Sequence, residues 1–169
     1  EYFFFDRNNS GNLNPLKSAM FIIPDLIKYV NGDLRDKKNF ANMKKVFEFL
    51  DNQFFDQDLD RKKLQNFLRQ ASIIDLLMLI LQKIEDKSLD VADEEVFSPF
   101  FTKIIKFLQM ICYNNETNAE YIYQWKPFFS KILEEKIEFG DQFVLDEFVS
   151  EIFETNNNYQ DYMQIKLEP

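Results

Sequence analysis

The chain has 169 residues, a net charge of −9, 20 Phe, seven Tyr, three Gly, five Pro, one Cys and no His. An acidic chain is a poor candidate for nucleic-acid or anionic-membrane binding, because both need clustered Lys and Arg. Without His there is no imidazole for catalysis or metal ligation, and the single Cys cannot form an intrachain disulfide. So few Gly and Pro leave little room for tight β-turns, and the composition therefore favours an all-α fold.

The N-terminal polar stretch from Asp6 imitates the front half of an EF-hand loop. Its twelfth position is Lys17, where a calcium loop needs a bidentate Glu. We therefore expect a polar loop without a metal, in which Asn14 caps a helix that begins at Pro15. Because the chain starts at Glu1 without an initiator Met, we expect it to be a piece of a longer protein.

Two helices are predicted in the next 40 residues. The first should run to about Val30 and be bent or broken at Pro24, which cannot donate an amide. After a turn at 31–33, the second should span about 36–54. Its apolar stripe consists of Phe40, Met43, Val46, Phe47 and Leu50. Lys37, Lys38, Lys44 and Lys45 lie mostly off that stripe and predict a solvated face.

The acids of 56–60 imitate a second calcium loop, which fails because Arg61 stands where Gly is required. We expect these acids to lie at the positive end of a short helix over 59–70. Ser72 then opens a strongly apolar helix to about Ile84. Apolar residues cover most of its circumference, which predicts a buried central helix.

Residues 86–95 are polar and acidic and predict a surface loop. The stretch 97–125 that follows predicts a long amphipathic helix, an Asn-rich corner and a short second helix. Cys112 lies on the apolar face of the long helix, so we expect a small core residue and not a nucleophile.

The corner itself has a specific sequence. Asn114 and Asn115 should end the long helix, since Asn tolerates the left-handed backbone of a sharp turn. Thr117 and Glu120 have the spacing of a capping box at the start of the next helix.

Two further helices follow. Lys126-Pro127 should begin one with an apolar face, and Gly140 suits its C-terminal turn. Asp141 should cap the last, which ends near 156–158. Their expected core residues are Phe128, Phe129, Ile132 and Leu133 in the first, and Phe143, Val144, Phe148, Val149 and Ile152 in the second.

The corner recurs at an offset of 41, where Asp161-Tyr-Met163 aligns with Glu120-Tyr-Ile122. A looser copy precedes both, over 40–85. A period near 40 with one short and two longer helices predicts an armadillo-like α-solenoid. We therefore expect residues 1–169 to form a single helical-repeat segment of a longer array.

Three segments carry a family resemblance: Ile104–Cys112 (IIKFLQMIC), Asn118–Ile122 (NAEYI) and Phe128–Glu134 (FFSKILE). Together with 61–77, they resemble the RIH domain shared by inositol trisphosphate receptors and ryanodine receptors, over about 59–155. The resemblance implies a cytosolic armadillo-like module of a large tetrameric calcium-release channel in an intracellular membrane such as the endoplasmic reticulum. Its partners would be neighbouring helical repeats or other subunits.

Ligand-binding members of this family place basic residues on the short helix and an aromatic-plus-basic trio before the Asn-x-Glu-Tyr-Ile motif. Lys62 and Arg69, with Lys63 nearby, are the candidate counterparts on the short helix. The trio positions are Asn115-Glu116-Thr117, and a carboxylate there would repel a phosphate. We therefore expect no inositol phosphate binding.

Three classes of function remain to be weighed. The first is a structural and coupling module of such a channel, and the second is a helical-repeat adaptor that binds a peptide or protein partner. The third is an enzyme, which we do not expect, since adjacent acids such as Glu94/Glu95 and Glu134/Glu135 point apart on a helix. We expect no cofactor, and no apolar run approaches the roughly 18 residues of a membrane span.

Overall fold

A computed structural model describes residues 15–56, 61–86, 91–134 and 140–154. Helices and short connections account for all of these ranges, and no strand occurs in them, as the composition predicted. The chain divides into two compact units, residues 1–71 and 72–169. The Asp6 stretch, the Asn14 cap, the acids at 57–60 and the second corner around Asp161 lie outside the described residues.

The first unit contains α1 (Pro15–Asn31), α2 (Lys37–Asp56) and α3 (Arg61–Gln70). The predicted stripe of α2 is confirmed, with Val46 half-buried and its other members buried. The four lysines of α2 are exposed, also as predicted. Core side chains from the three helices include Leu26, Val30, Met43, Phe47 and Leu68.

Two prolines lie inside helices without breaking them. Helix α1 continues through Pro24, so of the predicted bend or break the break does not occur, and α5 (Val91–Cys112) continues through Pro99. Both prolines are exposed. Because Met20 and Glu95, four residues before them, are also exposed, water can bond the carbonyls that lose an amide partner. Because α5 begins at Val91, residues 91–95 are helical. The surface loop predicted over 86–95 is wrong for this part of the range.

The connection between α1 and α2 is held by one amide side chain. Asn39 Nδ2 donates to the carbonyl of Tyr29 at 2.8 Å and to that of Asp33 at 3.1 Å. A Cβ at Gly32 would lie 2.8 Å from Asn39 Nδ2. Glycine at this position thus makes room for the amide that fixes the turn.

The second unit contains α4 (Ile73–Glu85), α5, α6 (Glu116–Ile122), a 3₁₀ turn (Tyr123–Trp125), α7 (Lys126–Glu134), α8 (Gln142–Val149) and a π-helical turn (Ser150–Glu154). Helix α4 is buried over most of its circumference, as predicted, although Leu76 and Leu79 are half-buried. Ser72 precedes it with a left-handed backbone (φ 64°) and makes no side-chain cap.

Aromatic rings join the C-terminal helices. The ring of Phe129 lies 5.2 Å from that of Phe148 and 5.6 Å from that of Phe153, which in turn lies 5.2 Å from Tyr123. Offset and edge contacts at these distances favour packing. Phe143 does not take part: 76% of its side chain is exposed, so its predicted core position is wrong.

Helix α8 begins at a well-anchored turn. The Asp141 carboxylate accepts from the amides of Phe143 and Val144, which confirms the predicted cap. Gly140 has φ 72°, and its amide donates to Ser98 Oγ at 2.9 Å. The amide of Asp141 donates to the Thr102 hydroxyl at 2.8 Å. The structure thus places Gly140 at the entry to α8, whereas the sequence suggested the end of the preceding helix.

Candidate functional site

The corner between α5 and α6 turns at two asparagines. Helix α5 ends at Cys112, and Asn114 has the left-handed backbone (φ 50°) predicted for it. Asn115 is the N-cap of α6, because its Oδ1 accepts from the amide of Asn118 at 3.0 Å. The predicted capping box of Thr117 and Glu120 is wrong, since α6 begins one residue before Thr117.

A third asparagine closes the corner from inside. Asn118 is fully buried, and its Nδ2 donates to the carbonyl of Ile111 at 3.0 Å. The last carbonyls of a helix have no intrahelical partner, so this bond satisfies one of them in the interior. Asn115 is buried as well. Asn118 therefore ties α6 to the end of α5, while Asn115 caps α6 itself.

Tyr121 connects the corner to a third helix. Its hydroxyl donates to Asp75 Oδ1 of α4 at 2.7 Å, and its ring lies edge-on to Trp125 with the centroids 5.6 Å apart. Nearby, the Tyr123 hydroxyl donates to the Phe153 carbonyl at 3.2 Å, and burial raises the pKa of that phenol. Helices α4, α5 and α6 are thus joined by polar contacts as well as by their core.

Cys112 has the surroundings of a core residue. Its side chain is buried, and burial raises the pKa of the thiol far above its usual range. A thiol that stays protonated is neither a nucleophile nor a metal ligand at neutral pH. The prediction of a small core residue is confirmed.

A cleft of about 430 Å³ lies beside the corner. Its lining includes Gln109, Cys112, Tyr113, Glu116, Glu151 and Ile152. Gln109 Nε2 donates to Glu151 Oε2 at 3.2 Å, which brings the π-helical turn to the end of α5. No local sequence pattern predicts this cleft, because Gln109 and Glu151 are 42 residues apart.

The predicted basic residues lie on α3, in the first unit. Lys62 and Lys63 are exposed, and Arg69 is half-buried with Nη1 donating to Asn66 Oδ1 at 3.2 Å. Lys62 and Arg69 are seven positions apart, so they share a helix face but are separated by about 10 Å along the axis.

Two findings concern metals and membranes. In ranges 15–56, 61–86, 91–134 and 140–154, no group of three or more acidic, Cys or His side chains could hold a metal ion. Within the same ranges, no helix combines the length and apolarity required to cross a bilayer.

Comparison of the chain with protein-family models, with curated proteins and with solved structures gives no match.

Proposed function

We propose that the chain is a structural and coupling module, an armadillo-like segment of a cytosolic α-solenoid in a calcium-release channel of the inositol trisphosphate or ryanodine receptor type. The channel family, the solenoid arrangement and the endoplasmic reticulum location rest on the sequence resemblance. The module would transmit displacement between neighbouring repeats or subunits, and the proposal assigns it no catalytic role.

The observation that supports coupling is the joining of three helices by buried or half-buried polar contacts. Asn118 ties α6 to the end of α5, and Tyr121 ties α6 to α4. A hydrogen bond of this kind is lost when a helix shifts by more than a fraction of an ångström. The three helices would therefore move together, as transmission between repeats requires.

The test uses the full-length parent protein, reconstituted in vesicles loaded with a calcium dye. Tyr121→Phe removes the bond between α6 and α4 while leaving the ring contact with Trp125 in place. We expect the Tyr121→Phe channel to release calcium with a weaker response to the activating ligand. Thr117→Ala changes an exposed neighbouring residue on α6 and should behave as wild type. A full-length chain that carries no pore-type membrane spans, or conducts no calcium, would refute the proposal.

Inositol trisphosphate is not proposed as a ligand of this segment. Glu116 and Thr117 are exposed at the positions where ligand-binding relatives carry cations, and the carboxylate of Glu116 would repel a phosphate there. Calorimetry with the 169-residue chain should detect no binding. Micromolar binding that Lys62→Ala and Arg69→Ala abolish would contradict this expectation.

One observation favours the second candidate, a helical-repeat adaptor for a peptide or protein partner. Among its described residues, the second unit exposes two aromatic residues, Tyr113 at 58% and Phe143 at 76%, in addition to the cleft. Exposed aromatic residues are enriched where proteins bind one another. An adaptor would be found in complexes without a channel, which affinity purification of the full-length protein distinguishes.

A further inference from the structure

The exposed side of α2 carries four lysines around one alanine. Each lysine stands three or four positions from Ala41, and residues at that spacing are neighbours on a helix surface. The lysines are Lys37, Lys38, Lys44 and Lys45, and all of them are exposed, as is Ala41. Within 15–56, 61–86, 91–134 and 140–154, none of the four ammonium groups forms an ion pair. This surface, the lysine face, therefore has a small apolar centre and a ring of positive charge that no described carboxylate neutralises.

The exposed side of α8 has the opposite chemistry. Phe143 is the most exposed large hydrophobic residue among those that the structure describes, at 76%. Asp146 and Glu147 lie three and four positions after it, so their carboxylates flank the ring on the same side of the helix. Both acids are exposed, and neither forms an ion pair with a described residue. This surface is the phenylalanine face.

The two faces complement each other in shape and in charge. A ring that projects from one helix fits where the facing helix has a short side chain between longer ones, and Ala41 provides such a place. The lysine stems would cover the edges of the Phe143 ring, and their ammonium groups would be attracted to its face. Asp146 and Glu147 would then accept charge-assisted hydrogen bonds from those ammonium groups. The chain thus carries both halves of one contact, and a second copy can supply the missing half to each face.

The charge distribution of the chain has the same sense. Residues 72–169 contain 19 acidic and eight basic residues, a formal charge of −11, whereas 1–71 contain ten acidic and 12 basic residues, a formal charge of +2. The unit with the phenylalanine face is therefore acidic, and the unit with the lysine face is weakly basic. Between two copies, encounters of the first unit with the second are favoured over encounters of two acidic units.

We propose that copies of this chain associate head to tail, with the phenylalanine face of one copy docked on the lysine face of the next. The contact is heterologous, because it joins two different surfaces. Each face is one side of one helix, which is smaller than a standard protein interface, and the net charge of −9 on each copy opposes association. We therefore expect a weak contact, with a Kd of about 0.1–1 mM. Neither face belongs to the corner between α5 and α6, so the inference does not rest on the coupling function.

The test is sedimentation equilibrium of the 169-residue chain at up to about 1 mM protein. Lys44→Glu with Lys45→Glu reverses two charges of the lysine face, and Phe143→Ser with Glu147→Gln removes the ring and one charge from the phenylalanine face. We expect the wild-type chain to associate as its concentration rises, and each double variant to associate at least about tenfold more weakly. An equimolar mixture of the two variants should form a 1:1 complex and nothing larger, because each variant keeps the face that the other has lost.

Lys17→Glu with Lys106→Glu is the matched control for the lysine face. It makes the same change in net charge as Lys44→Glu with Lys45→Glu, at exposed residues that belong to neither face. It should change the Kd by less than about threefold, since exposed charges outside a contact act only through the screened field of the chain. The far-UV circular dichroism melt of each variant establishes that it is folded.

Three outcomes would overturn the proposal: a wild-type chain that stays monomeric at millimolar concentration, a control variant that associates as weakly as the lysine-face variant, or a mixture of the two variants that forms no complex. A monomeric chain that sediments with phosphatidylserine vesicles, and loses this binding on Lys44→Glu with Lys45→Glu, would show that a lipid surface occupies the lysine face, which also contradicts a second copy. Such results would leave the coupling function unaffected, because calcium release by the full-length protein is measured separately.

Discussion

Replacing Asn118 with Leu should destabilise the second unit by about 2 kcal/mol. Leucine has the same branched shape and the same number of side-chain heavy atoms but lacks the Nδ2 donor, and its larger methyl groups add some crowding at this fully buried position. The Ile111 carbonyl, which accepts that donor at 3.0 Å, is then left without this partner in the interior. An unsatisfied buried acceptor costs about 1–3 kcal/mol, and the added apolar burial of Leu offsets part of it.

Trp125 is the only tryptophan of the chain and lies three residues after the end of α6, so its fluorescence reports on this unit. Urea titration followed at Trp125 gives the free energy of unfolding, and a thermal melt should show a loss of about 4–8 °C for a chain of this size. Thr117→Leu places the same side chain at an exposed neighbouring position and should change stability by less than about 0.5 kcal/mol. If Asn118→Leu were as stable as Thr117→Leu, the amide would not hold the corner.

Three further experiments test other parts of the second unit. Tyr121→Phe should cost about 1–2 kcal/mol through loss of the charge-assisted bond to Asp75, and a double-mutant cycle with Asp75→Asn should show coupling between them. Leu108→Asp should unfold the unit, because it puts a carboxylate at a fully buried position, whereas Phe143→Asp should keep the melting temperature within a few degrees. Cys112 should react with a disulfide reagent at least about a hundredfold more slowly in the native chain than in urea, because burial and its raised pKa keep the thiol unreactive.

The helices of the chain were largely predictable from apolar spacing. The stripe of α2, the buried circumference of α4 and the Asp141 cap all follow from local patterns that one helix can satisfy by itself. The start of α6 was less predictable. The corner offers both Asn115 and Thr117 as cap residues, and the choice between them depends on where α5 ends and on the burial of Asn118.

Pro24 does not break α1, contrary to one of the two outcomes predicted for it, and the reason is related. A missing amide disrupts a helix only if the carbonyl one turn earlier cannot find another partner. Pro24 and Pro99 both lie on exposed faces, where water serves. The exposed faces are not visible from the spacing of a single helix, because they depend on which neighbours cover it. Phe143 is the converse case, an apolar residue at helical spacing that no described neighbour covers.

The candidate site was harder to predict from the sequence than the helices were. The charge at Glu116 was evident from the sequence, but Glu151 joins it only through the packing of the π-helical turn against α5. Contacts between residues about 40 positions apart leave no local pattern in one sequence. The basic residues on α3 were recognised by resemblance, and α3 contains all of them, as the predicted helix over 59–70 did.

The contact between Gly32 and Asn39 has a consequence for how this protein can change over evolutionary time. Any side chain at position 32 would displace the Asn39 amide, and with it the bonds to two backbone carbonyls of the α1–α2 connection. A single substitution at either position would thus be penalised, while a paired replacement could restore the turn in another form. Among descendants of this sequence, the residues at positions 32 and 39 should covary.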